Sequence, residues 1–214
     1  MSVATAEELF VEELKDIYSA EKQAVKAYPR LTKAVQSEEL KEAMQEHLEQ
    51  TKGQVERLER IFEILDKRSS GKTCEGMKGL VQEAQSLVEE IENGPVLDAA
   101  IIGALQRVEH YEIAAYGTVA TLAQAMGQEE VKELLGETLE EEKETDERLT
   151  QVAQAVNSEA LSESENDEEG SEGENASSSN GSGRRSGSRG TSRSSSKSKS
   201  SGSSSSRSGQ KSRR

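Results

Sequence analysis

Between Thr5 and Val156, apolar residues return every three or four positions, the period of a helix that buries one face. Four long helices and one short one are predicted. Thr5-Ala6-Glu7-Glu8 has the form of a capping box and opens the first. Its apolar stripe is Leu9, Leu14, Ile17, Tyr18, Ala24, Val25, Tyr28 and Leu31, and Pro29 is expected to kink it or remove a hydrogen bond. Ser37, followed by two Glu, reads as the N-cap of the second helix. That helix carries Leu40, Met44, His47, Thr51, Gln54, Leu58, Ile61 and Leu65. After a polar break from Asp66 to Lys72, residues from about Glu75 to Ile91 form the short helix. Asn93-Gly94-Pro95 is a stop and restart, with Pro95 suited to a first helical turn. The third long helix carries Leu97, Ile101, Leu105, Val108, Glu112, Val119 and Leu122 and ends at Gly127. The fourth runs from about Glu129 to Val156.

Short turns join the first long helix to the second and the third to the fourth, so each pair forms an antiparallel hairpin. Residues 67–95 lie between the hairpins, long enough to cross a bundle from end to end. The expected fold is therefore all-α: a ferritin-like four-helix bundle with one long crossover that contains the short fifth helix.

Six positions on or beside these stripes are out of character. Glu21 sits at the centre of the first stripe, Glu112 within the third with Glu109 at its edge, and Glu142 and Asp146 one turn apart on the fourth. His47 is central on the second. Burying an unpaired carboxylate costs several kcal/mol, but several can face a shared cation. The chain also repeats itself: Glu21 is followed by Ala27-Tyr28, and Glu109 by Ala115-Tyr116. A further 33 residues from each Glu reach Gln54 and Glu142. Carboxylates and an imidazole meeting in one core suit iron or manganese, one ion or two. Singly, such a Glu can be a boundary residue and such a His a hydrogen-bonded core residue; the grouping is what favours metal. No helix has the Glu-x-x-His pair usual in ferritin-like sites, and the second helix offers Gln50 and Gln54 rather than a central carboxylate. Other features carry less. Cys74 reads as a small buried hydrophobe, His110 falls on an outer face, and Glu140 and Glu141 belong to a solvated run.

Composition divides the chain in three. Residues 1–156 carry 33 acids and 17 bases, an acidic folded domain. Residues 157–179 carry eight acids and no base, an acidic linker. Residues 180–214 carry ten Lys/Arg, 16 Ser and six Gly without an acid, a tail expected to be disordered. The N-terminus is acidic and lacks the apolar core of a secretory signal, and no apolar run approaches the ~18 residues of a membrane span. A single Cys excludes an intramolecular disulfide. A cytoplasmic protein without membrane contact is expected.

Several ordered motifs carry a likeness to a known family. They are Tyr18-Ser19-Ala20-Glu21-Lys22-Gln23, the run His47 to Arg57, Cys74 with Gly79-Leu80 and Glu83-Ala84, the run Val108 to Gly117, and Glu137 to Lys143 with Asp146. Over about residues 5–156 the chain resembles the YciF-like family of bacterial stress-associated proteins, a domain of unknown function with a ferritin-like fold. The resemblance implies a bundle similar to rubrerythrin, a di-iron centre and a homodimer. It implies no known reaction. Gln50 stands where a Glu is common in that family, and the basic tail is not part of the family pattern. Two functions stay open: a di-metal stress protein, acting as an oxidase or peroxide scavenger, or a non-catalytic helical stress protein. In the second, the tail at 180–214 binds nucleic acid or an acidic surface through charge alone.

Overall fold

Thr5 caps the first helix as its sequence predicts. Its hydroxyl accepts from the Glu8 N–H, and the Glu8 carboxylate accepts from the Thr5 N–H. The structure, a computed structural model, describes residues 3–69 and 72–174, with side chains as far as residue 162. Five helices follow in order: α1 (Ala6–Ala34), α2 (Glu38–Ile64), α3 (Glu75–Glu90), α4 (Pro95–Ala125) and α5 (Glu129–Glu174). No strand occurs among the described residues. They lie in the unit Met1–Asn175; the 180–214 tail expectation falls outside the described residues.

The turns explain the hairpins. Three residues join α1 to α2, and three join α4 to α5. Gly127 ends α4 with φ +70, a conformation that costs glycine little. The Gln128 N–H reaches back to the Ala123 carbonyl and the Gly127 N–H to that of Gln124, which satisfies the last turn. Cross-helix bonds give the directions. Tyr28 meets Glu109 while Tyr116 meets Glu21, so α1 and α4 are antiparallel. Arg60 meets Glu130 while His47 meets Thr145, so α2 and α5 are antiparallel too. With two antiparallel hairpins, α2 and α4 run parallel, and the long connection through α3 is what permits it. This is the ferritin-like arrangement.

The crossover is held by its own contacts. The Cys74 thiol caps α3 by accepting from the Met77 N–H, and Cys74 packs with Ala20, Met77 and Val108. Its carbonyl accepts from Gln23, and its N–H donates to Ser19.

The core has three layers along the bundle. One end is apolar: Leu31, Leu40, Met44, Leu97, Ile101, Leu149 and Val152. The other is also apolar: Phe10, Leu14, Ile17, Leu58, Ile61, Val119 and Leu135. Between them all four long helices contribute buried polar groups: Glu21, His47, Thr51, Gln54, Glu109, Glu112, Thr138 and Glu142.

Three details differ from expectation. Leu9 is exposed and Phe10 takes the core position, a one-residue shift at the open end of α1. Helix α1 continues through Pro29, which lies on its exposed face. Helix α5 passes its expected end at Val156 and reaches Glu174. Val156 is nonetheless buried, and Leu161 is 68% exposed. No described helix is long and apolar enough to cross a membrane.

Asp98 ties the two hairpins together at one end. It is buried in the first turn of α4, where its carboxylate accepts from the N–H groups of Gln36 and Ser37 at 2.9 and 2.7 Å. The negative charge also suits a helix N-terminus. Asp98→Ala should lower unfolding stability by about 2 kcal/mol, since it orphans two turn donors. Asp98→Asn should cost less because one acceptor remains. Urea unfolding of the full chain checks this; an unchanged midpoint for Asp98→Ala would show that the turn holds itself.

Candidate metal centre

Helical spacing places the polar layer. Glu109 and Glu112 are three residues apart on α4 and share its inner face. Glu142 comes from α5, Glu21 from α1 and His47 from α2. The Nε2 of His47 lies 3.4 Å from Glu109 Oε1 and 3.9 Å from Glu142 Oε2. One donor atom from each of His47, Glu109, Glu112 and Glu142 lies within 4.8 Å of all the others. Two ligands on opposite sides of an ion with bonds of about 2.1 Å are about 4.2 Å apart. The four donors therefore need only a small contraction to share one ion.

The tautomer of His47 follows from its other nitrogen. Nδ1 faces Gln50 Oε1 at 3.4 Å and Thr145 Oγ1 at 3.1 Å. The Thr145 hydroxyl already donates to the Glu141 carbonyl, so it can only accept from His47. Nδ1 thus carries the hydrogen, and Nε2 presents its lone pair to the carboxylates. A lone pair facing carboxylate oxygens is unfavourable unless a positive charge or a proton stands between them. This outer bonding is what orients metal-ligating histidines generally.

The internal repeat becomes a crossed pair. Tyr28 of the first hairpin donates to Glu109 of the second at 3.1 Å, and Tyr116 of the second donates to Glu21 of the first at 2.6 Å. Each tyrosine follows its own hairpin's Glu by seven residues, two turns up the same face, and so reaches the opposite Glu. Gln54 occupies the repeat position of Glu142 and donates to it at 2.5 Å. Gln54 also donates to Glu141, which a two-pronged Arg57 contact holds at 2.8 and 2.9 Å.

Even so, the layer is left short of donors. With the carboxyls ionised, Glu21 Oε2, Gln54 Oε1, Glu109 Oε2, Glu112 Oε1 and Glu142 Oε2 are all buried without a hydrogen-bond partner, and a proton shared between Glu109 and Glu142 would pair those two groups. Buried polar atoms are nearly always partnered, and each exception needs a reason. All five are acceptors. Protonation would satisfy some of them; a cation would satisfy acceptors from several helices at once, and oxygen with imidazole suits iron or manganese.

Most of the expected site residues therefore meet. Glu109, Glu112, Glu142 and His47 form the tight group. Glu21 joins the same layer through Tyr116, without being one of the four mutually close donors. Asp146 does not join. Its side chain is 24% exposed and faces His110 at 3.4 Å and Gln106 at 3.3 Å. It is four residues beyond Glu142, but that drift turns it toward the α4 surface. Spacing did not reveal the roles of Tyr28, Tyr116, Gln54 and Thr145, though the repeated Ala-Tyr pair marked two of them.

The pattern of the family described as "Domain of unknown function (DUF892)" matches residues 5–162. The chain belongs to that family. It is 46% identical over 154 residues to Protein YciF of Escherichia coli (strain K12), which covers 72% of this chain and 93% of that protein. The crystal structure of the E. coli stress protein YciF aligns with a TM-score of 0.70 at 45% identity, over 72% of this chain and 98% of that one. YcfI from Rhodopseudomonas palustris aligns at 0.68 and 39%, over 70% and 95%. A protein from Xanthomonas campestris pv. campestris, at 22% identity and a TM-score of 0.61 over 75% and 99%, shares the fold.

Electrostatics in this DUF892 domain follow from burial. Burial first, then the neighbouring carboxylates, lifts Glu21, Glu109 and Glu112 well above the ordinary carboxylate range. Burial also raises Glu142, to about 7. His47 is pushed down to about 4 by burial, which leaves its imidazole neutral near pH 7. Burial alone would raise Glu141, but the Arg57 and Gln54 bonds more than offset it and the net shift is downward.

These shifts set a pH dependence for the protein stripped of cations. A carboxyl raised in the folded state holds protons that the unfolded chain has released, so stability falls as pH rises above 4.5, for Glu142 through about 7. His47 acts oppositely between about 4 and 6.5, where the unfolded chain binds the extra proton. Above 6.5 the imidazole contributes nothing and the carboxyls remain. Chelator-treated protein should melt at a lower temperature at pH 7.5 than at pH 6.5, and added Mn(II) should narrow the gap. A melting temperature that rises over this interval would contradict buried, cation-free carboxyls.

Proposed function

We propose that this protein is a ferritin-like metalloprotein of the stress response whose buried carboxylate–histidine layer holds iron or manganese and acts on dioxygen or peroxide. The observation that carries the reading is the set of five unpartnered buried oxygens in the layer where His47 Nε2 lies 3.4 Å from Glu109 Oε1 and 3.9 Å from Glu142 Oε2. The likeness to the stress protein YciF supports the stress role.

His47, Glu109, Glu112 and Glu142 would hold one ion. Glu21 and the Gln54 carbonyl, in the same buried layer, would hold a second. That position has a neutral amide where the repeat has a carboxylate, so it binds more weakly. Bound iron or manganese supplies one-electron chemistry toward dioxygen or peroxide. The chain's own residues do the rest. Tyr28 and Tyr116 keep their protons at the Oη atoms that touch Glu109 and Glu21, since burial raises both phenols. Gln54 and Arg57 fix the α5 carboxylates, and the apolar layers at either end exclude water.

Elemental analysis of protein purified without chelators should find iron or manganese at one to two ions per chain. The double variant Glu109→Gln, Glu142→Gln should lose it while keeping its helical circular dichroism. Tyr116→Phe should weaken binding by about 10-fold, the usual effect of losing a bond that orients a ligand. Native protein free of metal after incubation with Fe(II) or Mn(II) would overturn the reading.

The ten cations of residues 180–214 support a separate role, charge-driven binding of nucleic acid. Affinity for duplex DNA should fall steeply with salt and vanish when the chain ends at residue 179. Equal binding by both forms would remove this role.

A further inference from the structure

The centre is buried, so a cation needs a way in. Two cavities line the seam between α2 and α5. One of about 180 Å³ is bounded by Glu46, His47, Gln50, Glu144, Thr145 and Arg148. A second of about 380 Å³ is bounded by Glu39, Glu144, Glu147 and Arg148. They lie side by side along the α2–α5 seam and share Glu144 and Arg148 in their walls; together they are called the groove. Its inner end is His47. Nδ1 of that ring contacts Thr145 in the groove wall, while Nε2 faces Glu109 and Glu142, whose Oε2 atoms are buried and unpartnered. The groove therefore stops one imidazole ring short of the centre.

From this geometry, and resting on the metal reading above, we infer that the α2–α5 groove is the path by which a divalent cation enters the centre, gated by the Glu46–Arg148 ion pair. Charge selects the traveller. Glu39, Glu46, Glu144 and Glu147 face the groove against the single Arg148. A cleft lined by one sign concentrates counter-ions and speeds their arrival. A neutral molecule such as dioxygen would gain nothing from it. Glu46 and Arg148 pair across the seam, one from each helix, at the edge of the inner cavity. Both side chains are partly exposed, so the pair can open without disturbing the core. Passage then needs rotation of His47, which Thr145 and Gln50 hold from the groove side and whose ring packs against Tyr28.

The test is the rate at which chelator-stripped, full-length protein takes up Co(II), followed by stopped-flow absorbance. The variant Glu39→Gln, Glu144→Gln, Glu147→Gln should load about 10-fold more slowly at low salt, with the difference lost at high salt. Final stoichiometry should match the native protein. Arg148→Ala should load faster than native. The control Glu129→Gln, Glu133→Gln, at the far end of α5, should load at the native rate. Native rates in the groove variants, with full final stoichiometry, would overturn the path and leave the centre standing. So would unchanged Co(II) loading with slower reaction of Fe(II)-loaded protein with dioxygen, which would make the groove a dioxygen channel. Failure of the native protein to bind Co(II), Fe(II) or Mn(II) at all would overturn the path and the metal reading together.

Discussion

Burial of four carboxylates in a single layer of the core is the constraint on which this structure turns. Glu21, Glu109, Glu112 and Glu142 are all essentially inaccessible to solvent. Leaving them ionised and unneutralised would cost several kcal/mol each, against a total stability of about 5–15 kcal/mol for a typical domain. Protonation is one escape and a cation is the other. The proposed centre takes the second. Tyr28, Tyr116 and Gln54 each satisfy one oxygen of one carboxylate and leave its other oxygen facing inward. Half-satisfied groups that converge are what a ligand set looks like without its ion.

The bundle builds this layer by repeating itself. Two hairpins, each offering a Glu and a Tyr two turns apart, pack antiparallel so that each Tyr serves the other's Glu. Such crossing needs the hairpins in one relative register. Asp98 helps fix it at one end by capping the α1–α2 turn from α4. The crossover helix α3 bridges α1 and α4, with Cys74, Met77 and Ala84 buried at its contacts. The symmetry fails where function would want it to. Gln54 replaces a carboxylate, and His47 has Leu135 at its repeat position, so the two halves offer different donors.

Much of this was legible in the chain because helical period and charge conflict at few places. Glu21, Glu112 and Glu142 stood on apolar stripes, and the structure buries all three despite their charge. Glu109, at a stripe edge, was ambiguous by phase and is buried because α1 supplies Tyr28 opposite it. Asp146 shows the limit. It lies one turn from Glu142, yet a helix turns about 40° over four residues, enough to carry it from the core to the flank that His110 occupies. Leu9 and Phe10 show the same limit at the end of α1, where the neighbouring helices decide which apolar residue enters. The length of α5 was hidden for a different reason. Beyond Val156 the apolar period that would signal a helix ends. The tyrosine and glutamine bonds depend on inter-helix register, which no single-helix pattern contains.

The central claim is that the unpartnered oxygens converge on a cation. Crystals of the full-length protein grown with Mn(II) or anaerobic Fe(II), with diffraction data collected on both sides of the metal's absorption edge, test it most directly. An anomalous peak within bonding distance of His47 Nε2 and of Glu109, Glu112 and Glu142 is the result this account requires. Peaks confined to surface carboxylates, with the buried layer unchanged and its carboxyls hydrogen-bonded to one another, would contradict it.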